Sequence, residues 1–485
     1  MALSVSIQST YINVASGTGS LEDLYQTIYD LAGGAETYMT KIGAGPYIYE
    51  ILGNKLLYLR GGSVLNINNP GDELRWTLSI SAAPVLYSFI GSELNVVEGC
   101  TLNFNNNAPA SGIYTYIYMS GKIRLEGTIA NPITLKNYSQ FRLYSSVSDA
   151  EDRYFNNVRL GYITYSASFY YLSFYQDTYS SYSPVGIFKN ITIDGEDRGV
   201  IVFSQSSDLS KVLFDNFITD RVYSIVTTQG SNLKFSNSSF KKGYYYNSIY
   251  GLAAQNRYYR SSDAYKRAES FQPKITFENC VFEDNYTSVA TKACFHYNNY
   301  NTIIKFKNCT FSGNVYIPMN RGAAVGYGTS MLWEGENIFT NITEDRYWHP
   351  DYNGQHLHVF PLEMHVVDRN NNYIEGANVG VAQSEGKEDF QFVTYDSPGN
   401  NPSGDPVGNI RDLFGDNPVF VHREETSTGV YENWSDDISA GRYHQITISK
   451  PGYKLWTRNV TFDQDVVITA VLEPEGKTLS LPVTY

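Results

Sequence analysis

The segment Phe277-Glu278-Asn279-Cys280-Val281-Phe282-Glu283-Asp284-Asn285 returns as Phe306-Lys307-Asn308-Cys309-Thr310-Phe311-Ser312-Gly313-Asn314. The same frame fits Phe235-Ser236-Asn237-Ser238-Ser239-Phe240, and more loosely Phe188-Lys189-Asn190, Phe214-Asp215-Asn216 and Trp333-Glu334-Gly335. Steps between the central positions are 26 (190 to 216), 21 (216 to 237), 42 (237 to 279), 29 (279 to 308) and 27 (308 to 335). A period in the twenties built from short alternating strands specifies stacked parallel coils, because a single coil cannot bury its inward face without a neighbour. The step of 42 reads as two coils, or as one coil with a long inserted loop.

The repeated letters have a mechanical reason. Apolar residues at alternate positions point inward and stack on their counterparts one coil away, while an Asn at the bend hydrogen-bonds the Asn above and below. Asn190, Asn216, Asn237, Asn279 and Asn308 are therefore expected to form a structural ladder between two Phe columns. Cys100, Cys280 and Cys309 each follow a bend position, and in-register parallel side chains have poor disulfide geometry, so free thiols packing as small hydrophobes are expected. With no Cys-x-x-Cys pair, and only His296 close to Cys294, no metal site or cofactor is expected.

Upstream, Gly121-Lys122-Ile123-Arg124-Leu125-Glu126-Gly127-Thr128-Ile129-Ala130-Asn131-Pro132-Ile133-Thr134-Leu135 reads as a strand, a Gly-Thr turn and a Pro-introduced strand. With this phrase and the Phe-x-Asn frame, residues 41–355 resemble the right-handed parallel β-helix (pectin-lyase-like) superfamily. The resemblance implies an all-β fold and little about chemistry, since this scaffold carries lyases, hydrolases, adhesins and phage tailspikes alike.

Residues 1–40 contain a short helix with Ser20 as N-cap, an apolar face of Leu21, Leu24, Ile28 and Leu31, and a Gly33-Gly34 stop. It is expected to cap the open end of the solenoid or to attach the chain to another protein. From 356 to 474 the frame disappears and separate alternating strands take over. The order Ile374-Glu375-Gly376-Ala377-Asn378-Val379, Gly441-Arg442-Tyr443, Lys450-Pro451-Gly452-Tyr453 resembles the carboxypeptidase-regulatory-like β-sandwiches, accessory modules that bring no catalytic residues. Residues 475–485 are left as a C-terminal tail.

A formal charge of -13 argues against coating nucleic acid, which needs a basic face, and no stretch is apolar for long enough to insert in a membrane. The first residues lack a basic segment followed by an apolar run, so no export signal is expected. That absence points to a virion protein assembled in the host cytoplasm and released by lysis.

Gly-His-Gly and Arg-Ile-Lys, which polygalacturonase-like enzymes of this superfamily carry, do not occur. Asp194, Glu196 and Asp197 form a carboxylate cluster after one coil, and paired carboxylates facing a groove are what glycoside hydrolysis requires. Acidic residues at coil corners are also ordinary solvated turn formers, and that reading is preferred. Tyrosine offers a flat apolar face and a polar tip, suited to sugar rings and protein interfaces. Tyr162, Tyr165, Tyr170, Tyr171 and Tyr175 fall in one such group. Tyr244, Tyr245, Tyr258 and Tyr259 fall in another, beside Lys241, Arg257 and Arg260, a basic patch on an acidic chain. Eight Asn-x-Ser/Thr sequons occur, and those at the bends are expected to be turned inward.

The sequence thus reads as a non-enzymatic structural and recognition protein of a virus particle: a tailspike, fibre or capsid decoration. Its expected partners are other copies, a trimer first, neighbouring virion proteins and a host glycan. The alternatives are a polysaccharide-degrading β-helix enzyme and a cell-surface adhesin or filament subunit.

Overall fold

The computed structural model describes residues 1–79, 82–104, 115–144, 146–161, 170–175, 185–204, 211–227, 233–241, 247–250, 275–283, 295–298, 303–312, 330–340, 355–383, 390–393, 419–425, 431–433, 443–461 and 466–475. The chain divides into two compact units. Unit 1 is Met1–Ala254, Pro273–Thr329 and Glu336–Asn353; unit 2 is Gln255–Gln272, Ser330–Gly335 and Gly354–Tyr485.

Unit 1 is a parallel β-helix whose coils contribute strands to three sheets. Sheet A runs from the first half of Tyr11–Ser20 through Leu56–Leu59, Ala82–Ser88, Thr115–Met119, Gln140–Tyr144 and Tyr170–Tyr175 to the later parts of Gly186–Ser204 and Val212–Thr227. Sheet B takes the second half of Tyr11–Ser20, then Ser63–Ile67, Glu93–Val97, Lys122–Glu126, the start of Arg153–Leu160 and onward to Leu233–Ser236, Ile275–Glu278 and Ile303–Lys307. Sheet C begins at Ile48–Ile51 and Glu73–Trp76 and reaches Val281–Glu283, Thr310–Ser312 and Ile338–Thr340. The step of 42 is one coil with an insertion, because Phe235 lies directly opposite Phe277 and Phe240 opposite Phe282.

Inward positions build the core. Phe155, Phe188, Phe214, Phe235, Phe277 and Phe306 stack along sheet B with centroid separations of 4.7, 4.9, 4.7, 5.5 and 5.5 Å. A second column, Phe240, Phe282 and Phe311, stacks along sheet C at 5.2 and 4.9 Å and meets the first edge-on. Between the columns the chain bends at Asn190, Asn216, Asn237, Asn279 and Asn308, all in the left-handed region at φ between 51° and 54°. Asn enters that region at low cost, and its amide supplies an inter-coil bond as well. Asn216 Nδ2 donates to Asn190 Oδ1 at 2.8 Å, and Asn279 Nδ2 to Asn237 Oδ1 at 3.3 Å. Elsewhere the ladder borrows the residue before the bend: Asn190 donates to Asn156 and Asn237 to Asp215. Asn237 and Asn308 are exposed rather than turned inward as the sequon reading had it, since it is the following residue, Ser238 or Cys309, that enters the core.

Cys100, Cys280 and Cys309 are free and buried. Cys280 and Cys309 donate their thiols to the carbonyls of Phe235 and Phe277, at 3.5 and 3.3 Å.

The parallel stack starts at Tyr11, upstream of the expected start at 41. Ser4–Ile7 runs antiparallel on the strand Tyr11–Ser20 and occupies an edge that would otherwise lie open. The helix Leu21–Leu31 follows directly, with a capping box in which Asp23 N donates to Ser20 Oγ at 3.2 Å and Ser20 N to Asp23 Oδ2 at 2.7 Å. Leu21, Leu24 and Ile28 are buried, whereas Leu31 is 54% exposed, so the apolar stripe ends one turn before the helix does.

Unit 2 is sandwich-like. In one sheet Gln355–Val367 pairs in parallel with Ser330–Glu334 and Val466–Val471 and antiparallel with Val419–Glu425. The other is antiparallel, in the order Phe390–Val393, Asn378–Gln383, His444–Ser449, Trp456–Val460. Leu362, Met364, Val366, Ile468 and Ala470 from the first share a core with Val379, Val381, Ile446 and Ile448 from the second. The sequence phrases at 374–379 and 450–453 meet here, Lys450 Nζ donating to the carbonyls of Glu375 (2.6 Å) and Gly376 (3.3 Å). The unit also takes in 330–335, which the expected boundary at 356 had left in the β-helix. Most of residues 386–436, and residues 476–485 of the tail, lie outside the described residues.

Candidate recognition surface

The three sheets present different outer faces. Sheet B shows Glu93, Lys122, Arg124 and Glu126, and sheet C shows Glu73 and Arg75, the latter paired with the buried Glu50 at 2.7 Å, a mixed-charge surface. Sheet A differs. Its strands from Tyr11 to Tyr144 contain no Asp or Glu, and their outward positions carry Tyr11, Tyr58, Tyr87, Tyr116, Tyr118 and Tyr144.

Register makes a ladder of these rings. Tyr58 lies opposite Tyr87 and Tyr87 opposite Tyr118, on successive coils about 4.8 Å apart. Tyr11 stacks on Tyr58 at 4.6 Å between centroids. Tyr58–Tyr87, Tyr87–Tyr118 and Tyr118–Tyr144 meet edge-on at 5.9, 5.9 and 5.7 Å. Each ring therefore braces the next while keeping part of its surface outward, and all six tyrosines are half-buried.

Two cations are set into this face. Arg60 lies 4.0 Å over the Phe89 ring and 5.5 Å from Tyr58, its Nε donating to Asn13 Oδ1 at 2.8 Å. Arg142 lies 4.9 Å over Tyr118, its Nε donating to Gln140 Oε1 at 2.8 Å. A guanidinium stacked on a ring and steered by an amide is held in one orientation, and its planar fork has the geometry that matches carboxylate or phosphate. Burial among its neighbours raises the Tyr58 phenol pKa, so the hydroxyl remains a hydrogen-bond donor.

The sequence-selected residues reach this surface in part. Tyr170, Tyr171 and Tyr175 lie on the sheet A strand Tyr170–Tyr175, with Tyr175 opposite Tyr144 and Tyr170 opposite Gln140. Tyr162, Tyr165, Tyr244, Tyr245, Arg257, Tyr258, Tyr259 and Arg260 lie outside the described residues. Lys241, read with the second group, sits on sheet C and pairs with Glu283 at 2.8 Å. Asp194 is in register with Asp220 on the next coil, and Glu196 and Asp197 fall where the register shifts between Asp194 and Arg198. Among the described residues no group of three or more His, Cys, Asp or Glu could hold a metal ion, and no helix is long and apolar enough to cross a membrane.

Tyr58, Tyr87 and Tyr118 escaped the sequence reading because they are 29 (58 to 87) and 31 (87 to 118) residues apart, one per coil. The available signal was an upstream repeat of Tyr at alternating-strand positions, which local clustering does not detect.

A family model described as a right-handed β-helix region matches residues 178–343. The fold is a right-handed β-helix, and the chain is all-β. No curated protein and no solved structure matches the chain.

Proposed function

We propose that this chain is a non-enzymatic recognition and structural protein that holds the outer face of sheet A against ring-bearing material on a host surface, as an exposed component of a virus particle. The observation that carries the reading is the carboxylate-free aromatic ladder, with Arg60 and Arg142 stacked into it, on a scaffold whose other faces are mixed-charge. Tyrosine faces one coil apart suit a linear glycan, whose rings stack on them while hydroxyls reach the phenol tips. The sandwich-like unit is taken as an accessory module, and side-by-side association of copies, a trimer first, as the way such shafts assemble.

The test is co-sedimentation of purified protein with host envelope material. Tyr87→Ala and Tyr118→Ala are each expected to weaken retention about tenfold or more, as truncation of interface aromatics does. Unchanged retention of the double variant contradicts the reading. A second reading, a polysaccharide-degrading enzyme, draws on the register of Asp194 with Asp220, which sets two acidic residues on adjacent coils, since glycoside hydrolysis uses a pair of carboxylates. Oligosaccharide release that Asp194→Asn abolishes would establish that reading instead.

A further inference from the structure

Along the inward column of sheet B, Leu65, Leu94 and Ile123 occupy successive coils, and the next position is Arg153. Arg153 is fully buried, at 0% exposure. Its Nη2 donates to the carbonyl of Met119 at 3.2 Å, to the carbonyl of Tyr144, and to Ser146 Oγ at 3.3 Å. Nε and Nη1, carrying the other three N–H bonds, have no acceptor among the described residues.

No carboxylate among the described residues hydrogen-bonds this guanidinium, and the acid that acts on it through space is Asp152. Asp152, next in sequence, is paired with Lys122 at 2.5 Å, and Glu151 faces Arg124 on the outside. The flanking stretches 105–114, 145, 162–169 and 176–184 contain a single carboxylate, Asp177. Burial draws the guanidinium down to about 9, which still leaves it charged at neutral pH. A buried charge with no hydrogen-bonded counter-charge is costly for a core to hold, and each unused donor adds its own desolvation cost.

We propose that Arg153 holds a small monovalent anion of the chloride class inside the solenoid, bound by Nε–H and the Nη1 hydrogens. The anion neutralises the guanidinium and supplies the acceptors that the walls lack. Nη2 meanwhile ties the guanidinium to carbonyls of two neighbouring coils, so anion binding stabilises the stack at that point.

Two measurements on the full chain test this. Crystals soaked in bromide should show an anomalous peak within hydrogen-bonding reach of Arg153 Nε and Nη1. Peaks at surface arginines only (an adventitious ion only), or a water or the Asp177 carboxylate in that position, overturn the proposal. In solution, raising chloride from about 5 to about 300 mM at constant ionic strength, with gluconate as the balancing anion, should raise Tm by about 1–3 °C. Arg153→Met should remove that dependence. If the variant does not fold, the bromide map and the wild-type chloride series decide the matter, and a Tm indifferent to chloride counts against the site.

Discussion

Phe277 is the position where the two aromatic columns meet, and truncating it tests how the β-helix is held together. Its ring stacks on Phe235 and Phe306 at 5.5 Å each and meets Phe240 and Phe282 edge-on at 5.5 and 5.2 Å. The side chain is 1% exposed. Phe277→Ala removes burial worth about 1.5–3 kcal/mol and leaves a cavity besides. The neighbouring rings sit on strands fixed by parallel ladders on both sides, so they cannot close the gap, and the cost should fall in the upper part of the usual range, about 4–5 kcal/mol. Phe277→Leu, which keeps most of the volume, should cost roughly 1–2 kcal/mol. Phe89→Ala on the outer face, where the ring is half-exposed, should cost about 1 kcal/mol. Equilibrium urea unfolding, followed by far-ultraviolet circular dichroism and by fluorescence, measures all three. A loss below about 1 kcal/mol for Phe277→Ala at unchanged m-value would refute the column argument, because m reports whether the cooperative unit has stayed intact.

At the bend, Asn216→Gly should cost about 1 kcal/mol, since it keeps the left-handed backbone and loses only the bond to Asn190, while Asn216→Ala should cost about 2 kcal/mol by adding backbone strain; thermal melts of the pair separate the two terms. Three carboxylates around the N-terminal helix sit below their ordinary range: Asp23 through the backbone and side chain of Ser20, Glu36 through Thr40, Tyr25 and the Lys41 backbone, and Glu22 because bonds from Lys41 and Tyr49 outweigh burial. Depressed carboxylates stabilise above their unfolded values, 3.8 for Asp and 4.5 for Glu, and that contribution is lost as pH falls through the lower folded values. Hydrogen-exchange protection factors at 21–31, corrected for the intrinsic rate, should therefore fall below about pH 4, ahead of the solenoid core; protection unchanged down to pH 2.5 would show that these contacts contribute nothing. Burial pushes the Cys100 thiol up to about 11 and raises Cys280 as well, so neither should label with a thiol reagent at pH 8 until the chain unfolds, which peptide mass spectrometry reads directly.

What the sequence disclosed tracks what repeats within it. The Phe-x-Asn frame from 188 to 311 carries its own register, so the columns, the bend and the free thiols were legible, because an inward Phe must stack on the next inward Phe. The first coils use Leu, Ile and Val in place of Phe and Gly71 or Gly99 at the bend. Without the frame the strand Tyr11–Ser20 passed for part of a cap, although it already pairs with Leu56–Leu59 and Ser63–Ile67. The aromatic face of sheet A, proposed above as the recognition surface, was hidden for a related reason. Its tyrosines are distant in sequence and become neighbours only when the coils are stacked, whereas a search for local clusters selects tyrosines adjacent in sequence, such as Tyr244 and Tyr245. Arg153 was unremarkable as one basic residue among 36; only its inward position, opposite Ile123, marks it.

The most direct test of the central claim is the chain length of a host-surface polysaccharide after incubation with purified protein, measured by size-exclusion chromatography beside a binding assay on the same sample. The wild-type protein should retain the polysaccharide at full length, Tyr87→Ala with Tyr118→Ala should release it, and Asp194→Asn should change neither result. Shortened chains with the wild-type protein, restored to full length by Asp194→Asn, would contradict the claim.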